Sequence, residues 1–146
     1  MNLSLFAERL SDLLFEADLN PPAFAKIMGC GRSSVNRYLS GRKMPTVEML
    51  VKMADHFKCS TDFLLGLEDE NYNHHFVSPP PFSERLSQIL EYFGISGYKL
   101  EKITSISEST LFYWAKGQTS PTIEKIIVIA KALDCTVDFI IGRTKS

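Results

Sequence analysis

The sequence contains an internal repeat, and this repeat restricts the possible folds more than any other feature. Sliding the chain against itself by 76 positions aligns residues 6–66 with residues 82–142 without a gap. Of these 61 aligned positions, 18 are identical, and many of the others are apolar in both copies, as Tyr38 and Trp114 are. Self-similarity over this length indicates a duplicated domain. The 146 residues therefore predict two copies of one small domain.

The segment between the copies, residues 67–81, begins with acidic residues and ends in three prolines. Because a proline-rich chain is extended and semi-rigid, this segment is predicted to be a spacer. The predicted organisation is a first domain over residues 1–66, an acidic and proline-rich linker over 67–81, and a second domain over 82–146.

Each copy carries the signals of helices and no strand-like alternation. In the first copy, Asn20 is a good N-cap and Pro21 a good first helical residue. Thr46 and Ser60 are placed to cap the two later helices, and Gly41 fits a left-handed C-terminal stop. The sequence therefore predicts an all-α protein with five helices in each copy.

A window of strong positive charge lies in the first copy, although the whole chain has a formal net charge of −1. Residues 26–43 contain five cations and no acidic residue, a local balance of +5. Such a window provides the positive charge that binding to a phosphate backbone requires. The five cations are Lys26, Arg32, Arg37, Arg42 and Lys43.

The third predicted helix presents polar side chains that can read DNA bases. Helical spacing turns Val35 and Tyr38 inward, and it leaves four polar residues outward. Arginine can donate two hydrogen bonds to guanine, and asparagine can pair with adenine. The outward residues are Arg32, Ser33, Asn36 and Arg37.

These residues belong to a stretch, residues 19–45, that closely resembles the Cro/cI (XRE) family of phage and bacterial regulators. A helix, a short glycine-containing turn and a second helix form the DNA-binding helix-turn-helix arrangement. The matching signals are Ala25, Gly29, the recognition helix 32–38, Ser40-Gly41-Arg42 and Pro45.

The resemblance covers nearly all of both copies and implies two tandem five-helix, lambda-repressor-like helix-turn-helix domains. It implies that Arg32, Ser33 and Arg37 read bases, and the side-chain chemistry above adds Asn36. The family often has a phosphate-contacting glutamine where this chain has Pro21, so that contact is expected to be missing. The predicted phosphate contacts are Asn20, Ser40, Arg42 and Lys43 from the resemblance, with Lys26 from the basic window.

The second copy differs at the same surface. Glu108, Phe112 and Tyr113 replace Arg32, Asn36 and Arg37, and the window 102–119 has a balance of only +1. Exposed aromatic residues are more often anchors for a protein partner than base readers. We therefore expect Phe112 and Tyr113 to form a dimer or partner surface, the alternative being that Phe112 is buried in its own domain.

Other classes of function find little support in the sequence. No apolar run approaches the length of a membrane span, and the N-terminus does not resemble a secretory signal, so a cytoplasmic protein is expected. No nucleophile motif, phosphate loop or metal-ligand spacing is present, and we expect no enzyme activity, cofactor, metal or small-molecule ligand. The spaced cysteines suggest reduced thiols, with Cys59 and Cys135 in the core.

Two hypotheses remain. The first is a DNA-binding transcriptional regulator, which we expect to be a repressor. It would recognise a double-stranded operator as a homodimer. The dimer would pair through Phe112 and Tyr113 or through the isoleucine-rich helix over residues 123–133. The second hypothesis is a protein-interaction or inhibitor module built on a DNA-binding fold.

Overall fold

The computed structural model describes residues 3–71 and 75–144, and it divides the chain into two compact units between His74 and His75. The described residues form ten helices and no strand, which confirms the all-α prediction. The first unit contains α1 (Leu3–Glu16), α2 (Pro21–Met28), α3 (Arg32–Leu39), α4 (Val47–Phe57) and α5 (Thr61–Leu64). The second contains α6 (Phe82–Phe93), α7 (Gly97–Thr104), α8 (Glu108–Ala115), α9 (Ile123–Ala132) and α10 (Val137–Ile141).

Helix boundaries follow the capping residues of the sequence. The Asn20 side-chain oxygen accepts a hydrogen bond from the Ala23 N–H at 2.8 Å, and α2 begins at the next residue, Pro21. Thr46 and Ser60 cap α4 and α5 in the same way. Gly41 has a φ of +74° just after α3, as the predicted left-handed stop requires.

The core of the first unit forms beneath α3. Phe6 of α1 and Tyr38 of α3 are buried, and their rings meet edge to face with centroids 6.4 Å apart. The Arg9 guanidinium lies 3.8 Å from the centre of the Phe63 ring, and its Nη1 donates to the Phe63 carbonyl at 2.7 Å. These contacts fix α1 against α3 and α5, so the opposite side of α3 faces solvent.

The second unit repeats this packing with equivalent residues. Phe82 and Trp114 meet edge to face with centroids 5.8 Å apart. The Arg85 guanidinium lies 4.8 Å from the centre of the Phe139 ring and donates to the Phe139 carbonyl. The identities between the copies at the Arg9 and Arg85 positions therefore mark the same contact between the first and last helices.

The second unit has a buried ion pair. Its cation corresponds to Leu67 of the first unit when the repeat alignment is extended by one residue. Arg143 is fully buried, and its Nη1 lies 2.7 Å from the Asp138 carboxylate. The Arg143 guanidinium also lies 4.2 Å from the centre of the Phe76 ring, and the Val77 N–H donates to the Arg143 carbonyl at 2.8 Å. The end of the segment proposed as a linker is thus attached to the second unit, whereas residues 72–74 of that segment lie outside the described residues.

The isoleucines of the isoleucine-rich helix are not available for the dimer surface suggested by the sequence. Four isoleucines of α9 are buried within the second unit, so they form its own core. Val128 is the large apolar residue that this helix exposes, at 41% of its surface. Among the cysteines expected in the core, Cys59 is buried and Cys135 is half-buried.

Candidate nucleic-acid interface

The helix-turn-helix of the first unit consists of α2, a turn at Gly29–Gly31 and α3. Gly29 has a φ of +71°, which glycine adopts without strain, and the Cys30 N–H closes the end of α2 on the Ala25 carbonyl at 3.0 Å. Val35 and Tyr38 are buried, as their predicted inward positions require. Burial of this side fixes the rotation of α3 and leaves its other side in solvent.

The predicted base-reading residues share the exposed side of α3. Arg32, Asn36 and Ser40 follow one another at four-residue spacing and form a row along the helix. Ser33 and Arg37 form the adjacent row. All five residues are exposed, so a helix placed in a major groove could present both rows to base edges.

The predicted phosphate-contact residues lie just before α2, in the last turn of α2 and after α3, and each is exposed. Asn20 caps α2 with its side-chain oxygen, and the amide nitrogen of the same side chain can still donate to a phosphate. Ser40 follows α3, where its hydroxyl donates to the Arg37 carbonyl at 3.2 Å. The remaining members of this set are Lys26, Arg42 and Lys43.

The N-terminus of α3 has a feature that the sequence interpretation did not include. Its N-cap is Gly31, and no side chain caps the first N–H groups of this helix. Helix N-terminal N–H groups attract anions, and Arg32 stands beside them as an exposed cation. The N-terminus of α3 therefore carries positive potential and hydrogen-bond donors at the same point.

Sequence reasoning also missed Lys52. Its ammonium donates to the Met28 carbonyl at 2.7 Å, across from α4 to the last residue of α2. This contact satisfies a carbonyl at the end of α2 and ties the recognition turn to α4. Lys52 lies outside the basic window in the sequence. The repeat alignment places it at the same position as apolar Val128, and this difference between the copies could have drawn attention to Lys52.

The equivalent helix of the second unit, α8, exposes different chemistry. Phe112 is 54% exposed and Tyr113 is 45% exposed, so the alternative that Phe112 is buried in its own domain is wrong. Their rings contact each other with centroids 5.6 Å apart. The Lys116 ammonium lies 5.4 Å from the centre of the Phe112 ring. This surface is aromatic, with charges at its edges.

The N-terminus of α8 is capped by two side chains. The Ser107 hydroxyl accepts a hydrogen bond from the Thr110 N–H at 3.1 Å. The Glu101 carboxylate, reaching from α7, accepts a hydrogen bond from the Glu108 N–H. Two acidic side chains therefore stand where the first unit has Ala25 and Arg32. A phosphate approaching this end of α8 would meet negative charge and donors that are already used.

Two further observations concern other kinds of site. Within residues 3–71 and 75–144, no three His, Cys, Asp or Glu residues are grouped to hold a metal ion. His74 of the sequence lies outside this described part. In the same described part, no helix is both long and apolar enough to cross a membrane.

Comparison with protein-family models gives two matches to one family, described as helix-turn-helix and corresponding to the Cro/C1 type, also called XRE. The matched regions are residues 23–64 and 86–140, one in each unit. Together they cover more than half of the chain. Neither the curated proteins nor the solved structures provide a significant match. The two matches place the same type of motif at α2–α3 and at α7–α8.

Proposed function

Since this chain belongs to the Cro/C1-type helix-turn-helix family, whose members are DNA-binding regulators, we propose that it is a sequence-specific transcriptional repressor. It acts in the cytoplasm on a double-stranded operator. The first unit reads the operator, and the second unit joins two chains. The repressor role, the operator and the homodimer are parts of this proposal.

One observation carries the proposal: the exposed side of α3 has side chains that can read bases, and the sequence around it is basic and contains no acidic residue. Arg32 and Arg37 have the geometry for bidentate bonds to guanine, and Asn36 for adenine. The window 26–43 holds a balance of +5, whereas the equivalent window of the second unit holds +1. Cations that neutralise phosphates supply most of the non-specific affinity for DNA, and base contacts add the specificity.

The proposed homodimer rests on the difference between the exposed residues of α3 and those of α8. A single helix-turn-helix module reads few base pairs, and these proteins normally present two modules to half-sites about 34 Å apart. A tandem pseudo-dimer within one chain would need a competent recognition helix in both units. Because α8 carries Glu108, Phe112 and Tyr113, two chains that each contribute α3 fit this requirement better.

Selection of bound fragments from random duplex DNA with the full chain tests the proposed function. We expect an enriched sequence with two-fold symmetry, with light scattering giving twice the chain mass at tens of micromolar. Failure to enrich any sequence would contradict sequence-specific binding. A monomer that binds a two-half-site operator one to one would contradict the homodimer and favour the tandem arrangement.

A second candidate function is a protein-interaction or inhibitor module, and the exposed aromatic residues of α8 favour it. Such a module would need no phosphate contacts. Retention on heparin and on non-specific duplex DNA at low salt distinguishes the two candidates. We expect retention that weakens steeply with salt, because each neutralised phosphate releases counterions. Passage through both columns would support the interaction module.

A further inference from the structure

One row of side chains on α8 has opposite charges at its two ends and an aromatic ring at its centre. Glu108, Phe112 and Lys116 follow one another at four-residue spacing, so they lie along one side of the helix. The 5.4 Å approach of the Lys116 ammonium to the Phe112 ring places these two residues on the same side. All three are exposed. The same row in the first unit is Arg32, Asn36 and Ser40.

This row is complementary to the same row of a second chain when the two helices run antiparallel. Phe112 is equally distant in sequence from Glu108 and from Lys116. If two copies of α8 lie antiparallel across a two-fold axis, each Phe112 meets the Phe112 of the second copy. Each Glu108 then lies opposite the Lys116 of the second copy, so a single register forms two opposite-charge pairs around an aromatic centre. A two-fold interface uses the same patch on both chains and needs this kind of self-complementarity.

We propose that the second unit forms a homodimer through antiparallel pairing of α8 with α8 of a second copy, centred on Phe112 and aligned by Glu108 and Lys116. This inference rests on the homodimer of the proposed function, and it gives that homodimer a surface, an orientation and a register. The helix α8 would thus contact α8 of a second chain through the surface that α3, at the equivalent position of the first unit, would use to contact DNA.

Charge and burial favour a second copy over nucleic acid as the occupant of this surface. The Glu101 carboxylate and Glu108 lie at the N-terminus of α8, where a nucleic-acid backbone would be repelled. In the dimer, Glu108 instead meets a cation. Phe112 and Tyr113 would transfer their exposed ring surface out of water, which supplies the non-directional part of the affinity.

The size of α8 sets the expected strength of the dimer. Eight helical residues span about 12 Å, and a stable interface usually buries about 1,200–2,000 Å² in total. One row is too small for this area, so flanking groups must contribute. Tyr98 of α7 is 57% exposed, its ring lies 5.1 Å from the Lys102 ammonium, and both lie within one turn of Glu101. We expect a dimer of modest affinity, stabilised further when both α3 helices engage one operator.

Charge reversal in the full chain tests the register. Glu108→Lys sets two cations opposite each other in each pair, and Lys116→Glu sets two carboxylates opposite each other. We expect each variant to raise the dimer dissociation constant about tenfold, because two attractive pairs become repulsive. Mixing the two variants, one carrying a mass tag, should restore a dimer containing one chain of each, since both pairs between the unlike chains join a lysine to a glutamate, whereas the pairs between like chains are repulsive. The double variant E108K/K116E should dimerise like the original chain.

Matched controls separate this result from general charge effects. Glu91→Lys and Lys125→Glu make the same changes at exposed positions outside α8, and we expect them to leave the dissociation constant unchanged. Circular dichroism checks that each variant is folded. An original chain that dimerises normally, with no preference for the mixed pair, would overturn the proposed register and leave the proposed homodimer standing. A monomeric original chain would overturn both, while duplex DNA binding would continue to test the regulator role separately.

Discussion

The helices α3 and α8 occupy the same position in two copies of one fold, and they have opposite chemistry. Both bury two residues at equivalent positions, Val35 and Tyr38 in α3 and Leu111 and Trp114 in α8. On the exposed side, the row Arg32, Asn36 and Ser40 becomes Glu108, Phe112 and Lys116. The comparison shows that the buried side of this helix keeps the same packing in both copies, whereas the chemistry of its exposed side changes without altering the core.

The two helices also differ at their N-termini. The first N–H groups of α3 follow Gly31 and receive no side-chain cap, whereas those of α8 are capped by Ser107 and Glu101. Caps of this kind stabilise a helix by about 1 kcal/mol. The N-terminus of α3, which DNA would approach in the proposed function, lacks this stabilisation. The second unit has this stabilisation, because N–H groups at the start of α8 are already bonded to the side chains of Ser107 and Glu101.

We expect the largest effect on operator binding when exposed residues of α3 are replaced by their counterparts in α8. In the triple variant Arg32→Glu, Asn36→Phe and Arg37→Tyr, operator binding should fall to the level of random DNA, a loss of about 4–10 kcal/mol. The substituted positions are exposed, so circular dichroism should remain unchanged. Gel-shift titration on operator and random duplexes provides the measurement.

The control for this exchange is Lys125→Glu with Lys131→Glu on α9, which changes the net charge by more than the triple variant does. We expect this control to bind the operator nearly as well as the original chain. Equal losses in both proteins would mean that overall charge, and not the exposed side of α3, determines binding.

The next largest effect concerns the buried ion pair of the second unit. Arg143→Leu reproduces Leu67 of the first unit, and it removes the cation beside the buried Asp138 carboxylate. We expect this variant to destabilise the second unit by about 3–5 kcal/mol, because a buried charge loses its compensation. Trp114 is the single tryptophan and is buried in that unit, so its fluorescence during urea unfolding reports this change.

The double variant Arg143→Leu with Asp138→Leu provides the comparison for that measurement. Removing both charges should recover much of the lost stability, because well-packed apolar residues often replace a buried ion pair at little cost. A double variant as unstable as Arg143→Leu alone would show that packing around Phe76, and not the charge, accounts for the loss.

Single substitutions on the first unit should divide its residues into two classes. Arg32→Ala and Arg37→Ala should each weaken operator binding by about 1–3 kcal/mol per lost base contact and affect random DNA less. Lys43→Ala should weaken all sequences about equally and reduce the slope of log affinity against log salt by about 0.9. Losses that are equal on operator and random DNA for both arginines would rule out their role in base reading.

The smallest expected effect is a difference in alkaline stability between the two units. Burial raises the pKa of Tyr38 above its usual value of about 10, and Cys30 adds to the shift, whereas Trp114 at the same position has no group that ionises in this range. The folded state therefore holds the phenolic proton more tightly than the unfolded state. This contribution is fully present below about pH 10 and is lost as the pH rises through the folded pKa.

Tyr38→Phe tests this difference. We expect the original chain to lose more stability than Tyr38→Phe between about pH 9 and pH 11, as thermal unfolding followed by circular dichroism would show. Identical losses in the two proteins would indicate that Tyr38 ionises alike in the folded and unfolded states.

Much of the fold could be predicted because its determining interactions are local. The side chains of Asn20, Thr46 and Ser60 each bond an N–H three residues further along the chain, so the start of a helix is contained in a short segment. The bounds of α2 and α3 follow from these signals and from the glycines of the turn. The inward positions of Val35 and Tyr38 follow from helical spacing alone.

The candidate site was predictable where it depends on residue type and spacing. The basic window and the outward residues of α3 lie within one short segment, and the exposure of Phe112 and Tyr113 follows from their positions beside Leu111 and Trp114. For a dimer, by contrast, the sequence suggested two surfaces, the aromatic residues Phe112 and Tyr113 or the isoleucine-rich helix. The structure shows that the α9 isoleucines lie in the core, which the sequence could not show because only packed helices reveal which side of an apolar helix is covered.

The sequence by itself thus determined the duplication, the helices and the division between a basic and an aromatic recognition helix. Tertiary structure decided which distant groups meet: Lys52 with the Met28 carbonyl, Glu101 with the Glu108 N–H, and Arg143 with Phe76. Helix capping and helical spacing act within a few residues, so they can be identified along the chain. Contacts between helices depend on packing angles that the whole core sets, and no short segment contains that information.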